Sequence, residues 1–241
     1  MSTEDSVQFP DEATRGSWRS AVEAAERTST ETFDLASLWP RLRAGDTAVL
    51  DAFSTLERVY LILAPTISAL PRPPRTQRAL DLLERVLLGA AQKEVSFDFG
   101  MSPSCVAQTL TRALGALGLG GTPSKVPVLL AMAAHAARAP ASTYAARCFD
   151  VRAGNTPYTA VSAKRPDSCL ANVLSRTEFT VARLLIEGNS HGQISAIRGK
   201  SERTIANQLA AAFKKLGVSS RAELLRHVIT RHAAHAHTHG E

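Results

Sequence analysis

Residues 174–224 read LSRTEFTVARLLIEGNSHGQISAIRGKSERTIANQLAAAFKKLGVSSRAEL, and this stretch carries the start and stop signals of four successive helices. Gly188 follows an apolar helical periodicity, at the place where the end of a helix favours a left-handed residue. Ser190 then opens a capping box, which begins a short second helix that ends at Gly199. Ser201 caps a longer third helix, and a second capping box begins the fourth. The stretch therefore predicts four helices joined by short turns.

The second and third of these helices follow the helix-turn-helix plan, in which a short helix and a glycine-containing turn precede a longer recognition helix. With its apolar stripe turned inward, the recognition helix presents Arg203 and Asn207 on its outer face. Arginine suits guanine and asparagine suits adenine, so we expect these two side chains to contact bases. The candidates for phosphate contacts are basic or lie at a helix N-terminus: Ser190, His191, Lys214 and Lys215.

The same stretch resembles the LuxR/GerE family of bacterial helix-turn-helix transcriptional regulators. The resemblance rests on its L-S-x-x-E opening, its G-x-S turn, its S-x-x-T-I recognition start and its K-K-L-G-V-x-S-R close. It implies a four-helix domain over residues 170–231 that binds double-stranded DNA, often as a two-fold pair. It also implies that Glu178 forms a structural ion pair with Lys215 or Arg221.

The excess positive charge of the chain lies in this domain. The whole chain has a formal net charge of +6, and residues 170–231 alone hold ten Lys or Arg against four acidic residues. Such a segment fits a polyanionic partner, because neutralised phosphates release counterions, although a solvated helical face is the alternative.

Two departures from the family pattern matter. Arg198 and Lys200 replace apolar residues, and Ala206 and Ala210 replace lysines, which removes up to two DNA contacts.

An internal repeat extends the pattern into the N-terminal half. Residues 89–119, GAAQKEVSFDFGMSPSCVAQTLTRALGALGL, align without a gap on residues 188–218 at an offset of 99. The identical pairs are Gly89/Gly188, Ser96/Ser195, Gly100/Gly199, Ser102/Ser201, Ala107/Ala206, Leu110/Leu209, Ala113/Ala212, Leu117/Leu216 and Gly118/Gly217. Because the caps, the glycines and the apolar stripe are kept, we predict a degenerate second helix-turn-helix unit of the same family type.

The first copy has lost the surface that would contact DNA. Arg112 is the one basic residue on its third helix. The places of Glu178, Lys215 and Arg221 are taken by uncharged residues: Ala79, Ala116 and Thr122. We therefore favour a role in packing, dimerisation or partner binding for this copy. The alternative is an intramolecular pseudo-dimer, in which both copies contact half-sites about 34 Å apart on one DNA.

The predicted fold is mainly α, with two tandem four-helix LuxR-type helix-turn-helix units. A weaker upstream correspondence places a helix at about 34–44 and at 124–138, each followed by a small β-hairpin, because aromatic and β-branched runs flank turn dipeptides there. The predicted domains are a disordered arm (1–32), a helix plus hairpin (33–70), the degenerate unit (71–138), a hairpin and linker (139–169), the DNA-binding unit (170–231) and a disordered His-rich tail (232–241).

Other classes of function find little support in the sequence. We expect no enzyme and no cofactor, since phosphate-binding loops, H-E-x-x-H and G-x-S-x-G motifs are missing. Three cysteines far apart indicate neither a disulfide framework nor a metal site. No signal peptide or apolar run of about 20 residues is present, so we expect a cytoplasmic protein without membrane contact. We expect a homodimer or an intramolecular pseudo-dimer to bind the DNA. The alternative to DNA binding is a protein-interaction module that binds the transcription machinery or another regulator.

Overall fold

The computed structural model describes residues 12–65, 76–119, 126–139, 144–153 and 156–236. No helix within these ranges is long and apolar enough to cross a membrane. The predicted counterpart of Arg221 in the first copy, Thr122, lies outside the described residues.

The described part of the chain opens with a helix, where the sequence predicts a disordered arm. Helix α1 spans Glu12–Thr28, and strand β1 (Thr32–Phe33) follows it. Val22 of α1 is fully buried, and Glu26 accepts a 2.6 Å hydrogen bond from the Tyr60 hydroxyl. The structure thus differs from the predicted arm over residues 12–28, because contacts with distant strands hold this polar helix and local periodicity does not report such contacts. Residues 1–11 lie outside the described ranges.

A five-stranded antiparallel sheet forms the middle of the protein. After helix α2 (Leu38–Ala44), its other strands are β2 (Thr47–Ser54), β3 (Arg58–Pro65), β4 (Ala146–Ala153) and β5 (Thr156–Lys164). The strand order is β1-β4-β5-β3-β2, so β3 and β5 pair in the centre, with Leu61 opposite Val161. The two small hairpins predicted from the sequence are thus joined into one sheet. Pairing satisfies the backbone groups that either hairpin alone would leave free at its edge.

Two groups of helices pack around this sheet. The first group is α3 (Gln77–Leu87), α4 (Gln92–Phe99), α5 (Pro103–Ala116) and α6 (Val128–Arg138). The second, which follows a 3-10 segment at Pro166–Asn172, is α7 (Arg176–Ile186), α8 (His191–Arg198), α9 (Glu202–Leu216) and α10 (Arg221–Ala236). Helix α10 continues to Ala236, so residues 232–236 are helical where the sequence predicts a disordered tail. Residues 237–241 lie outside the described part.

The backbones of α3–α5 and α7–α9 agree closely. Each helix of the second set begins 99 residues after its counterpart in the first. Gly100 and Gly199 end the middle helices with the same dihedral angles, φ 60° and ψ 37°, in the left-handed region that favours glycine. Ser102 and Ser201 then cap the third helices by accepting a bond from the backbone N–H three residues on. The repeat in the sequence thus coincides with a repeat in local geometry.

The sheet buries both of its faces. Leu61 and Leu63 of β3 point into the main core, which the helices share, whereas the alternate residues Tyr60 and Ile62 face α1. Helix α6 lies deep in the main core, with Met132 fully buried. Helix α6 contacts β3 of the sheet, α3 of its own group and α10 of the second group, so both helical groups share one core with this face of the sheet.

Candidate nucleic-acid interface

A capping box and an ion pair fasten the start of α7 to the end of α9. The Ser175 hydroxyl accepts a bond from the Glu178 N–H, and Glu178 Oε2 accepts a 2.8 Å bond from the Ser175 N–H. Lys215 Nζ lies 2.7 Å from the same carboxylate oxygen. The Lys215 hydrogen bond, followed by the Ser175 N–H, lowers the pKa of Glu178 below its ordinary value. These contacts hold α9 at a defined angle to α7.

Arg221, the other partner that the resemblance offers Glu178, has a different role. Its Nε and Nη2 donate 2.8 Å hydrogen bonds to the carbonyl oxygens of Leu185 and Ile186, which end α7. Burial lowers the pKa of Arg221 to about 10. The structural ion pair thus involves Lys215, while Arg221 satisfies carbonyl groups that the last turn of a helix leaves free.

The recognition helix α9 separates its apolar and polar residues as the sequence predicts. Its inner face buries four apolar side chains: Ile205, Leu209, Ala212 and Leu216. Its outer face exposes Arg203, Asn207, Ala210 and Lys214. At 3.6 residues per turn, these four positions fall within about 60° of one another around the helix. Arg203 and Asn207 therefore lie one turn apart on a single exposed surface.

Four basic residues on or beside this surface are exposed: Arg203 and Lys214 on α9, Arg198 at the end of α8, and Lys200 in the turn between the two helices. Among the described residues, none of them has a carboxylate within 4.0 Å. Lys215, which the sequence nominates for phosphate contact, is already engaged with Glu178. Arg198 and Lys200 are the basic residues that depart from the family pattern, and the structure leaves both of them facing solvent beside the turn.

The N-terminus of α8 is less open to a phosphate than the sequence suggests. Ser190 and His191 are both exposed there, and Ser190 caps the helix through the Gln193 N–H. However, Glu202 Oε1 lies 3.2 Å from the point where a Cβ on Gly192 would be. A carboxylate therefore already stands beside the first turn of α8, where it would compete with a phosphate for the positive end of the helix dipole.

The connection between the sheet and this domain is a buried ionic network. The Arg165 guanidinium donates 2.9 and 2.8 Å bonds to Asp167 and a 2.8 Å bond to Glu187, the residue that follows α7. Arg183 of α7 also donates to Asp167, at 3.0 Å. A third contact reaches the β2–β3 turn, because Arg165 Nη1 donates to the Thr55 carbonyl at 3.1 Å. The sequence analysis did not single out Arg165, because its partners come together only in the fold.

These helices, caps and exposed basic residues agree with a comparison of the sequence with known families. The sequence model of the bacterial regulatory proteins of the luxR family (GerE) matches residues 172–228. Residues 172–228 are a LuxR-type helix-turn-helix domain. A LuxR-type domain implies DNA binding, with α9 in the place of the recognition helix.

The LuxR-type match covers about a quarter of the chain. It does not include α3–α5, so their interpretation as a second copy rests on the sequence repeat and on the backbone alone. No curated protein and no solved structure matches the chain.

Proposed function

We propose that this protein is a transcriptional regulator that binds specific DNA sequences by placing α9 in the major groove. The observation that carries the proposal is the exposed pair Arg203 and Asn207, one turn apart on the outer face of a LuxR-type recognition helix. Arg203 is assigned to a guanine and Asn207 to an adenine, each worth about 1–3 kcal/mol of discrimination.

Phosphate contacts would come from basic side chains around this pair. Three basic side chains are exposed and have no carboxylate partner among the described residues: Lys214, Arg198 and Lys200. They could therefore bind DNA phosphates without breaking an existing ion pair. Lys215 would have to leave Glu178 to contact a phosphate, which argues for a structural role. Ser190 and His191 remain candidates at the N-terminus of α8, with Glu202 as their competitor.

The helices α3–α5 are interpreted as a degenerate copy of the same unit with a role in packing. The support is their start-to-start spacing of 99 residues from α7–α9, together with the contact that the end of α5 makes with strand β2. The Leu117 carbonyl accepts a 2.9 Å bond from the Val49 N–H of β2, and a Cβ on Gly118 would lie 2.1 Å from the Val49 oxygen. A Cβ on Gly217, the counterpart of Gly118, would meet nothing within 4 Å.

Binding to random genomic fragments, followed by sequencing of the bound fraction, tests the proposed function directly. We expect the full chain to enrich one motif, and Asn207→Ala to weaken binding to that motif about tenfold or more while leaving non-specific binding almost unchanged. Arg27→Gln is the matched control, because Arg27 is exposed on α1, on the opposite face of the sheet from the main core.

The alternative function, a protein-interaction module without DNA readout, predicts that no DNA motif is enriched. Failure to enrich any motif at low salt would contradict sequence-specific binding, and retention of a transcription protein in its place would favour the alternative. Enrichment that Arg203→Ala and Asn207→Ala leave intact would contradict the assignment of α9 as the reading helix.

A further inference from the structure

A cavity of about 430 Å³ opens in the first helical group, between the start of α3, the α4–α5 turn and one side of α5. Its apolar wall includes Leu80 of α3, Met101 of the α4–α5 turn and Ala113 of α5. Arg78 and Arg112 line it as well, and no acidic side chain does so among the described residues. The volume falls within the range of small-molecule sites in proteins, which is roughly 300–1,000 Å³.

The cavity occupies the place that the Glu178–Lys215 ion pair fills in the LuxR-type domain. At an offset of 99 residues, its lining residues Ala79 and Ala116 stand at the positions of those two side chains. In the second group, the two long side chains meet at 2.7 Å between α7 and α9. In the first group, both chains end at Cβ, so the same pair of helix positions leaves empty space.

The charged side chains that line this cavity in the described part of the chain are both basic. The guanidinium of Arg78 is held in place by a 2.9 Å hydrogen bond from Nη2 to the Phe99 carbonyl. Arg112 is exposed, and no carboxylate lies within 4.0 Å of it or of Arg78 in the described part of the chain. Guanidinium groups recognise carboxylates and similar planar anions through paired hydrogen bonds. An apolar wall beside two such groups is complementary to a molecule with one anionic end.

We infer that this cavity is a binding site for a small amphipathic anion. The apolar body of the ligand lies against Leu80, Met101 and Ala113, and its carboxylate, or an equivalent anionic group, lies between Arg78 and Arg112. The site uses none of the residues assigned to DNA contact. Its existence therefore does not depend on the proposed function of α9.

Three probes with the same apolar tail and different heads test the inference: sodium decanoate, decan-1-ol and decyltrimethylammonium. Isothermal titration calorimetry of each probe with the full chain, below the concentration at which the probe forms micelles, measures affinity and stoichiometry. We expect decanoate to bind one-to-one, decanol to bind about tenfold more weakly and the cation not to bind. Equal affinity for all three heads, or no binding of decanoate at millimolar concentration, would overturn the inference.

Two variants locate the site. Arg112→Gln should weaken decanoate about tenfold while leaving decanol unchanged, because it removes charge from an exposed position without filling the cavity. The double variant Ala79→Glu/Ala116→Lys rebuilds the ion pair of the other unit and should abolish binding of decanoate. Lys93→Gln, a substitution of an exposed lysine that does not line the cavity, is the charge control and should bind as the wild type does.

Each of these variants can overturn the assignment of the ligand to this cavity. A folded double variant, verified by its circular dichroism, that still binds decanoate with wild-type affinity would show that the ligand lies elsewhere. If the double variant does not fold, Arg112→Gln decides alone: an unchanged preference for decanoate over decanol overturns the assignment. Displacement of decanoate by a short DNA duplex would likewise overturn it, since the arginines would then serve phosphates.

Discussion

Lys215 Nζ lies 2.7 Å from Glu178 Oε2, and this ion pair joins the first turn of α7 to the last turn of α9 in the LuxR-type domain. Glu178 is almost buried, with 9% of its surface exposed, while the Lys215 side chain is 46% exposed. Solvent screens the ion pair because Lys215 is half-exposed, so the pair stabilises the folded protein only modestly. The pair also fastens the end of α9 to α7, and α9 is the helix that carries Arg203 and Asn207.

Glu178→Gln should lower the free energy of unfolding by about 1 kcal/mol at neutral pH, because the amide keeps the cap acceptor and loses the ionic attraction. The lowered pKa of Glu178 means that its contribution is complete above its ordinary pKa of 4.5 and disappears as the pH falls through the lowered value. Urea unfolding between pH 7 and pH 3 measures both effects. An equal loss of stability on acidification in wild type and variant would contradict this role.

The two glycines that end α5 and α9 offer a matched comparison. Gly118 (φ 90°) and Gly217 (φ 67°) both have left-handed backbones, so alanine should cost each about 1–2 kcal/mol. Only at position 118 would the new Cβ also meet backbone, at 2.1 Å from the Val49 oxygen. Gly118→Ala should therefore lower the unfolding free energy by about 1–3 kcal/mol more than Gly217→Ala does. Chemical denaturation of both variants checks this, and equal losses would argue against tight docking of α5 on the sheet.

Stability should fall as the pH drops below about 6.5, because the fold lowers the pKa of the half-buried His135. Burial, followed by the nearby charge of Arg226, lowers the pKa of His135 below 6.5. In this window the unfolded chain takes up a proton that the folded protein does not, so acidification favours unfolding. His227 has a pKa lowered in the same direction by burial and by Arg231.

His135→Gln tests this assignment, because the amide cannot titrate. Denaturant midpoints measured from pH 8 to pH 5 should decline less steeply for the variant than for the wild type. The remaining decline would belong to His227 and to other groups. Parallel curves for the two proteins would exclude His135 as a source of the pH dependence.

Lys214 should contribute to DNA affinity through a phosphate. Lys214→Gln is then expected to weaken specific and non-specific binding by similar factors, and to reduce the slope of log K against log salt by about 0.9. Fluorescence anisotropy over a series of salt concentrations measures this slope. A loss of affinity confined to one base-pair position would instead make Lys214 a base-reading residue.

The first helical group should not contact DNA. Gln108 and Arg112 are exposed on α5, at positions that correspond to Asn207 and Ala211 of α9. Gln108→Ala/Arg112→Ala should therefore change affinity for the enriched motif less than twofold, against about tenfold or more for Asn207→Ala. Comparable losses in the same binding assay would establish the pseudo-dimer, with two contacting units on one DNA.

Local signals predicted the helices well. Ser190 and Ser201 begin their helices through bonds to a backbone N–H three residues away, and Gly199 ends one through its own dihedral angles. Such interactions are complete within a few residues of chain, so they can be recognised in the letters alone. The same reasoning found both hairpins, because turn chemistry and alternation are also short-range.

Long-range contacts decided the features that the sequence analysis missed. Leu61 pairs with Val161 across 100 residues of chain, α1 is held by the sheet it covers, and Arg165 finds Thr55 and Glu187 only after folding. No pattern among neighbouring residues in the sequence indicates any of these long-range partners.

By itself, then, the sequence determined the LuxR-type domain, its exposed pair Arg203 and Asn207, and the repeat at 99 residues. Only the tertiary structure decided that Lys215 rather than Arg221 holds Glu178, that the hairpins share one sheet, and that Ala79 and Ala116 leave a cavity. The reason is physical: caps and periodicities act along the chain, whereas partners and empty volumes depend on which distant side chains are brought together.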